Sequence, residues 1–131
     1  MKNQLDDFLE LFCLHVSKTI EKSTSWVVNR VIPYIQQNYY DPNLSLEQIG
    51  EQFNVHPVYV SKVFKDHVGK GVLDYINNLR IEHSKLLLEE KKNATIEQIA
   101  ELVGYQNVRT FSRVFKKYTN ISPGKYRNES L

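Results

Sequence analysis

Three cations, Arg109, Arg113 and Lys116, recur at steps of four and three residues between Val108 and Tyr118. At about 100° per residue of an α-helix they gather on one side, while Val108, Phe111, Val114, Phe115 and Tyr118 gather on the other. Guanidinium and ammonium groups in such a row can bind phosphates or the acceptor edges of bases. They supply no nucleophile, no general base and no metal ligand.

Such a helix must be held by its apolar side. Thr95 and Gln98 form a capping-box pattern that predicts a helix start, with Ile96, Ile99 and Val103 to bury. Gly104 ends that helix, because a left-handed backbone costs glycine almost nothing, and Asn107 suits the cap of the next. Ala100 is small enough to let the two helices approach across a tight corner. Helix, glycine corner and cationic second helix read as a helix-turn-helix, whose second member enters the major groove of DNA. The competing reading is a basic, solvated helix face.

The unit occurs twice. Ser45-Leu46-Glu47-Gln48-Ile49-Gly50 matches Thr95-Ile96-Glu97-Gln98-Ile99-Ala100 at an offset of 50, and Ser61-Lys62-Val63-Phe64-Lys65 matches Ser112-Arg113-Val114-Phe115-Lys116 at 51. The extra residue falls in or near the turn. Ser45 with Gln48 repeats the capping box, Gly50 the small contact, and Asn54 takes the corner, where asparagine tolerates a left-handed backbone. Pro57 fits the first turn of the second helix. Each unit strengthens the reading of the other.

Between them, Val72 to Glu90 predicts one long helix, with Leu73, Ile76, Leu79, Ile81, Leu86 and Leu87 available for burial. At a rise of 1.5 Å per residue it spans about 28 Å, close to the roughly 34 Å repeat of B-DNA. Arg80, at its middle, reads as a structural residue, an internal salt-bridge partner for a carboxylate. Upstream, Trp26 to Tyr39 predicts a helix with Val28, Val31, Ile32, Ile35 and Tyr39 as core candidates and a kink or a start at Pro33. Leu5, Phe8, Leu9, Phe12, Val16 and Ile20 mark a separate amphipathic helix over residues 3–22, followed by the polar break Ser23-Thr24-Ser25. That helix either packs on the domain, connects it to a sensory module, or associates with a second copy.

Charge supports a polyanion partner for the C-terminal part. Residues 1–54 carry four Lys/Arg and seven Asp/Glu, and residues 55–127 carry thirteen and seven, so −3 is followed by +6; Glu129 brings the total to +2. The single cysteine, Cys13, excludes an internal disulfide and a thiolate zinc cluster. His15, His56, His67 and His83 are dispersed and lack partners at ligand spacing, and no phosphate-cradling glycine loop is present. These features speak against an enzyme, a metal site or a bound cofactor. Without a long apolar run or a signal peptide, the expectation is a cytoplasmic protein with no membrane partner. RNA is disfavoured because the aromatic residues fall on predicted buried faces.

The paired units, the linker GKGVLDYINNLRIEHSKLLL and the closing IAELVGYQNVRTFSRVFKKYTNISPGKYR resemble the DNA-binding domain of AraC-type transcription regulators over roughly residues 28–127. The resemblance implies an all-α, seven-helix fold. It consists of two helix-turn-helix subdomains (45–68 and 95–119) joined by a linker helix (72–90), preceded by the amphipathic segment 1–27 and followed by a tail, 128–131. It implies a sequence-specific regulator, an activator rather than a repressor, that binds promoter DNA and works with RNA polymerase. Many such regulators carry a ligand-binding or receiver domain upstream, and none fits into 27 residues, which favours the output domain of a longer regulator.

Overlaying the units sets Val58, Ser61, Lys62 and Lys65 opposite Arg109, Ser112, Arg113 and Lys116, and the resemblance places base-reading positions on this face. Arg109 and Arg113 suit bidentate contacts to guanine, Lys62 a less rigid one, and Val58 a thymine methyl. Ser61 and Ser112 complete the base-reading set, Lys65 and Lys116 suit phosphates, and Tyr59 and Thr110 flank the face. The first unit has Lys62 where arginine is usual in the family, and Asn54 where glycine is, which points to less sharp reading. The alternative function is a helical protein-interaction module without DNA readout.

Overall fold

The computed structural model describes residues 26–129, and the expected helix over residues 3–22 lies outside them. A π-helical turn, Val27–Val31, passes directly into helix α1, Ile32–Asn38. Pro33, at the start of α1, explains the wide turn. Its ring would press on the carbonyl four residues back and it has no N–H to offer, so bonds reaching five residues back take over, as from Ile32 N–H to the Val27 carbonyl. Residues four apart then share one line: Val27, Val31 and Ile35 are buried, and Val28, expected in the core, is 38% exposed.

A turn held by Asp41 leads to α2, Leu46–Phe53, and α3, Pro57–Val68. Next come α4, Val72–Glu90, then α5, Ile96–Val103, α6, Val108–Thr119, and α7, Pro123–Glu129. Helix α7 takes in Asn128 and Glu129, two residues of the expected tail. Among the described residues there is no strand, and no helix is long and apolar enough to cross a membrane.

The apolar residues divide into two cores. In the first lobe Val27, Val31, Ile35, Leu44, Ile49, Val60 and Phe64 close around the π turn, α2 and α3. In the second, Ile99, Ala100, Val103, Tyr105, Phe111, Val114 and Phe115 close around α5 and α6. Helix α4 serves both, giving Val72 and Ile76 to the first core and Ile81, Leu87 and Leu88 to the second. Because it presents different faces to the two lobes along its length, Leu73 and Leu86, expected inside, belong to neither core and are 62% and 54% exposed.

The repeat holds bond for bond at the corners. Asn54 N–H donates to the Glu51 carbonyl and Val55 N–H to the Gly50 carbonyl; Gly104 N–H donates to Glu101 and Tyr105 N–H to Ala100. Both corner residues are left-handed, Asn54 at φ 58° and Gly104 at φ 114°. Gly50 is small for a local reason, since a Cβ there would meet the Val55 carbonyl oxygen at 2.6 Å.

Candidate nucleic-acid interface

Helix α6 is fixed at its start by Asn107, whose Oδ1 accepts from the Arg109 and Thr110 amides at 2.7 and 3.3 Å. Phe111, Val114 and Phe115 are drawn into the second core, and Arg109, Arg113 and Lys116 are left exposed on the far side. Thr110 and Ser112 are half-buried. Burial of the apolar stripe thus sets the direction of the cations.

Helix α3 is the counterpart. The His56 ring caps it, Nδ1 accepting from the Val58 amide at 3.1 Å, and Pro57 occupies its first turn. Val60 and Phe64 are fully buried, in the places of Phe111 and Phe115. Val58, 68% exposed, and Tyr59, Lys62 and Lys65 stand outward, with Ser61 half-buried. A valine so exposed contributes little to folding and is free to meet an apolar group of a ligand.

Among the described residues the only ion pair within 4.0 Å joins Lys85 to Glu82, at 3.0 Å. Among those residues the lysines and arginines of α3 and α6 form no ion pair with a carboxylate, and both outer faces carry an excess of cations. Among the same residues no cluster of His, Cys, Asp or Glu could hold a metal ion.

Sequence reasoning missed what fixes one lobe to the other. Arg80, 8% exposed, was expected to meet a carboxylate; instead its Nε donates to the Tyr39 carbonyl at 2.7 Å and its Nη2 to the Asp41 carbonyl at 3.0 Å. The guanidinium also lies over the Tyr105 ring, 5.1 Å from its centre. Its planar fork reaches two carbonyls of the α1–α2 turn at once. Gly104 completes the joint, since a Cβ there would meet Arg80 Nε and the Tyr39 carbonyl oxygen, each at 2.7 Å. The glycine is thus required both by its left-handed backbone and by the approach of the other lobe. Tyr39 Oη with His83 Nδ1 at 3.0 Å, and Tyr105 Oη donating to Asn77 Oδ1 at 2.6 Å, extend the joint along α4. Burial, partly offset by Arg80, pushes the Tyr105 hydroxyl up to about 12.

Two equivalent helix pairs on one spacer, each with an exposed, unpaired cationic second helix, define a double helix-turn-helix DNA-binding domain. The chain matches the Helix-turn-helix domain family over residues 49–129 and belongs to it, among the regulators of AraC type. It is 37% identical over 97 residues to the HTH-type transcriptional regulator YobQ of Bacillus subtilis, a match covering 74% of this chain and 39% of that protein. The C-terminal domain of AraT, a response regulator from Geobacillus stearothermophilus, aligns with a TM-score of 0.71 and 32% identity over 84% of each chain. The DNA-binding domain of AdpA, solved with a target DNA, shares the fold alone, with a TM-score of 0.65 and 14% identity over 84% of this chain and 90% of that one. The chain spans 29% to 39% of the length of the curated relatives it matches. It is a DNA-binding transcription-regulator domain of AraC type.

Proposed function

We propose that α3 and α6 enter successive major-groove segments on one face of promoter DNA, and that the chain is the output domain of a longer, cytoplasmic regulator that activates transcription. The observation that carries this reading is the pair of equivalent, outward-facing helices whose cations form no ion pair within 4.0 Å with any carboxylate among the described residues. Arg109 and Arg113 pair with guanine O6 and N7, Lys62 reads a base less rigidly, and Ser61 and Ser112 hydrogen-bond to base edges. Val58 meets a thymine methyl, Lys65 and Lys116 hold phosphates, and Tyr59 and Thr110 flank the contact. RNA polymerase is the partner an activator of this kind positions itself against. A sensory or receiver domain upstream, or self-association through residues 3–22, supplies the control.

Titration of the 131-residue chain with duplex DNA at several salt concentrations tests the reading. Neutralising several phosphates makes affinity fall linearly on a logarithmic salt axis, with a slope of about −0.9 for each phosphate. Flat salt dependence, as for a mainly apolar protein interface, would contradict it.

A further inference from the structure

Aligning the corners bond by bond identifies the residue that one lobe has and the other lacks. Val55 corresponds to Tyr105 at an offset of 50 and the caps His56 and Asn107 correspond at 51, so Gln106 is the insertion. Gln106 reaches across the lobes, its Nε2 facing Asn43 Oδ1 at 3.4 Å, a long and weak hydrogen bond. It stands at the rim of an open groove of about 440 Å³ between α4, the α1–α2 turn and the inner side of α6.

The lining of that groove is one-sided. Asn77, Gln106, Thr110, Arg113 and Lys117 contribute polar or cationic groups, and no carboxylate lines it. Arg80 also lines it, and the hydrogen bonds described above tie its guanidinium to carbonyl dipoles and not to an anion. Dipoles satisfy hydrogen bonds without cancelling a net charge, and the three lining cations, Arg80, Arg113 and Lys117, outnumber the two carboxylates beside the groove, Asp74, which accepts from the lining Tyr118 hydroxyl at 3.1 Å, and Asp41, whose charge acts on Arg80. The end of α6 is not the source of this site, because Asn107 already occupies the Arg109 and Thr110 amides. Arg113 belongs both to the groove and to the exposed face of α6, which makes the two surfaces continuous.

We infer that the groove seats phosphates of the DNA strand that passes between the two reading helices, with Lys117 and Gln106 as backbone contacts beyond the base-reading set. This rests on the reading of the chain as a duplex binder. The ligand chemistry is a phosphodiester monoanion, met by the Lys117 ammonium, the Gln106 amide and the Thr110 hydroxyl. Such contacts fix the position of the protein on the duplex and carry no sequence information.

The test uses the full chain and its Lys117→Gln and Gln106→Ala variants, with Lys125→Gln, on exposed α7 surface away from the groove, as the control. On a random-sequence duplex, Lys117→Gln should lower the magnitude of the logarithmic salt slope by about 0.9, the value of one phosphate contact. Gln106→Ala should weaken binding equally on random duplex and on duplex selected by the wild type, and Lys125→Gln should leave both quantities unchanged. Ethylation of phosphates midway between the two major-groove segments should impair the wild type and make no difference to Lys117→Gln. A salt slope unaltered by Lys117→Gln, or the absence of ethylation interference at the phosphates between the two segments, overturns the inference. Protection of Lys117 from acetylation by inorganic phosphate as effectively as by duplex also overturns it, in favour of a small-anion site. Wild-type affinity independent of salt would instead remove the duplex reading on which the inference stands.

Discussion

In the second lobe the start of α5 is closed by two reciprocal bonds, Gln98 N–H to Thr95 Oγ1 at 3.0 Å and Thr95 N–H to Gln98 Oε1 at 2.9 Å. In the first lobe Ser45 accepts from the Gln48 amide at 3.1 Å, but Gln48 does not reach back, and its buried Oε1 has no partner among the described residues. The expected second capping box is therefore half made. The same contrast runs through the two units: glycine against asparagine at the corner, an asparagine cap holding two amides against a histidine holding one, and Arg113 against Lys62 on the outer face. The second lobe is the more completely determined, and its cationic helix is the one with the rigid bidentate donors. On the proposed reading, the second unit is therefore expected to take the larger share in recognition.

Breaking the joint between the lobes should have the largest effect. Arg80→Met removes two hydrogen bonds from a buried charged group, each worth about 1.5–3 kcal/mol, so urea unfolding should show a loss of roughly 3 kcal/mol or more. Gly104→Ala comes next. A left-handed alanine costs about 1–2 kcal/mol and the contact with Arg80 and the Tyr39 carbonyl about 1–3 more, whereas Asn54→Ala should cost about 1. Equal losses at the two corners would remove the distinction between the lobes.

Recognition sharpens the comparison further. Arg113→Ala should cost about 1–3 kcal/mol on the preferred site and much less on duplexes altered at one base pair, while Lys62→Ala should weaken all sites more evenly. Competition binding across single-base variants measures both, and the reverse ranking would assign the sharper reading to the first lobe. Smaller still, Gln98→Ala should lose about 0.5–1.5 kcal/mol with its return bond, and Gln48→Ala close to nothing.

Tyr105 gives the comparison a dependence on pH. Its folded pKa, about 12, lies above the ordinary tyrosine value of 10.0, so the folded chain keeps its proton more tightly than the unfolded one. That contribution is fully present below pH 10 and is lost as pH rises towards 12. Tyr105→Phe should flatten this alkaline decline in thermal unfolding.

Where one periodic signal governs one buried face, the sequence was readable: the stripe of α6, the Thr95 box and the Gly104 corner all follow from local spacing. Val28 falls outside the core because a π turn, brought on by Pro33, realigns the stripe in favour of Val27. Leu73 and Leu86 stay outside both cores because α4 turns one face to each lobe, which a single helical period does not reveal. The acceptors of Arg80 are backbone carbonyls and leave no trace in residue identity. The outward positions of Val58, Lys62, Lys65, Arg109, Arg113 and Lys116 followed from the apolar residues between them. The groove did not, because Asn77, Gln106 and Lys117 converge from three separate stretches.

The central claim is that two equivalent helices engage one duplex together. Its most direct test is dimethyl sulfate and hydroxyl-radical protection of a selected duplex by the 131-residue chain. Two protected major-groove segments about one helical turn apart on the same face are predicted, with Arg113→Ala clearing only one of them. A single protected segment, unaffected by changes in α3, would contradict the account.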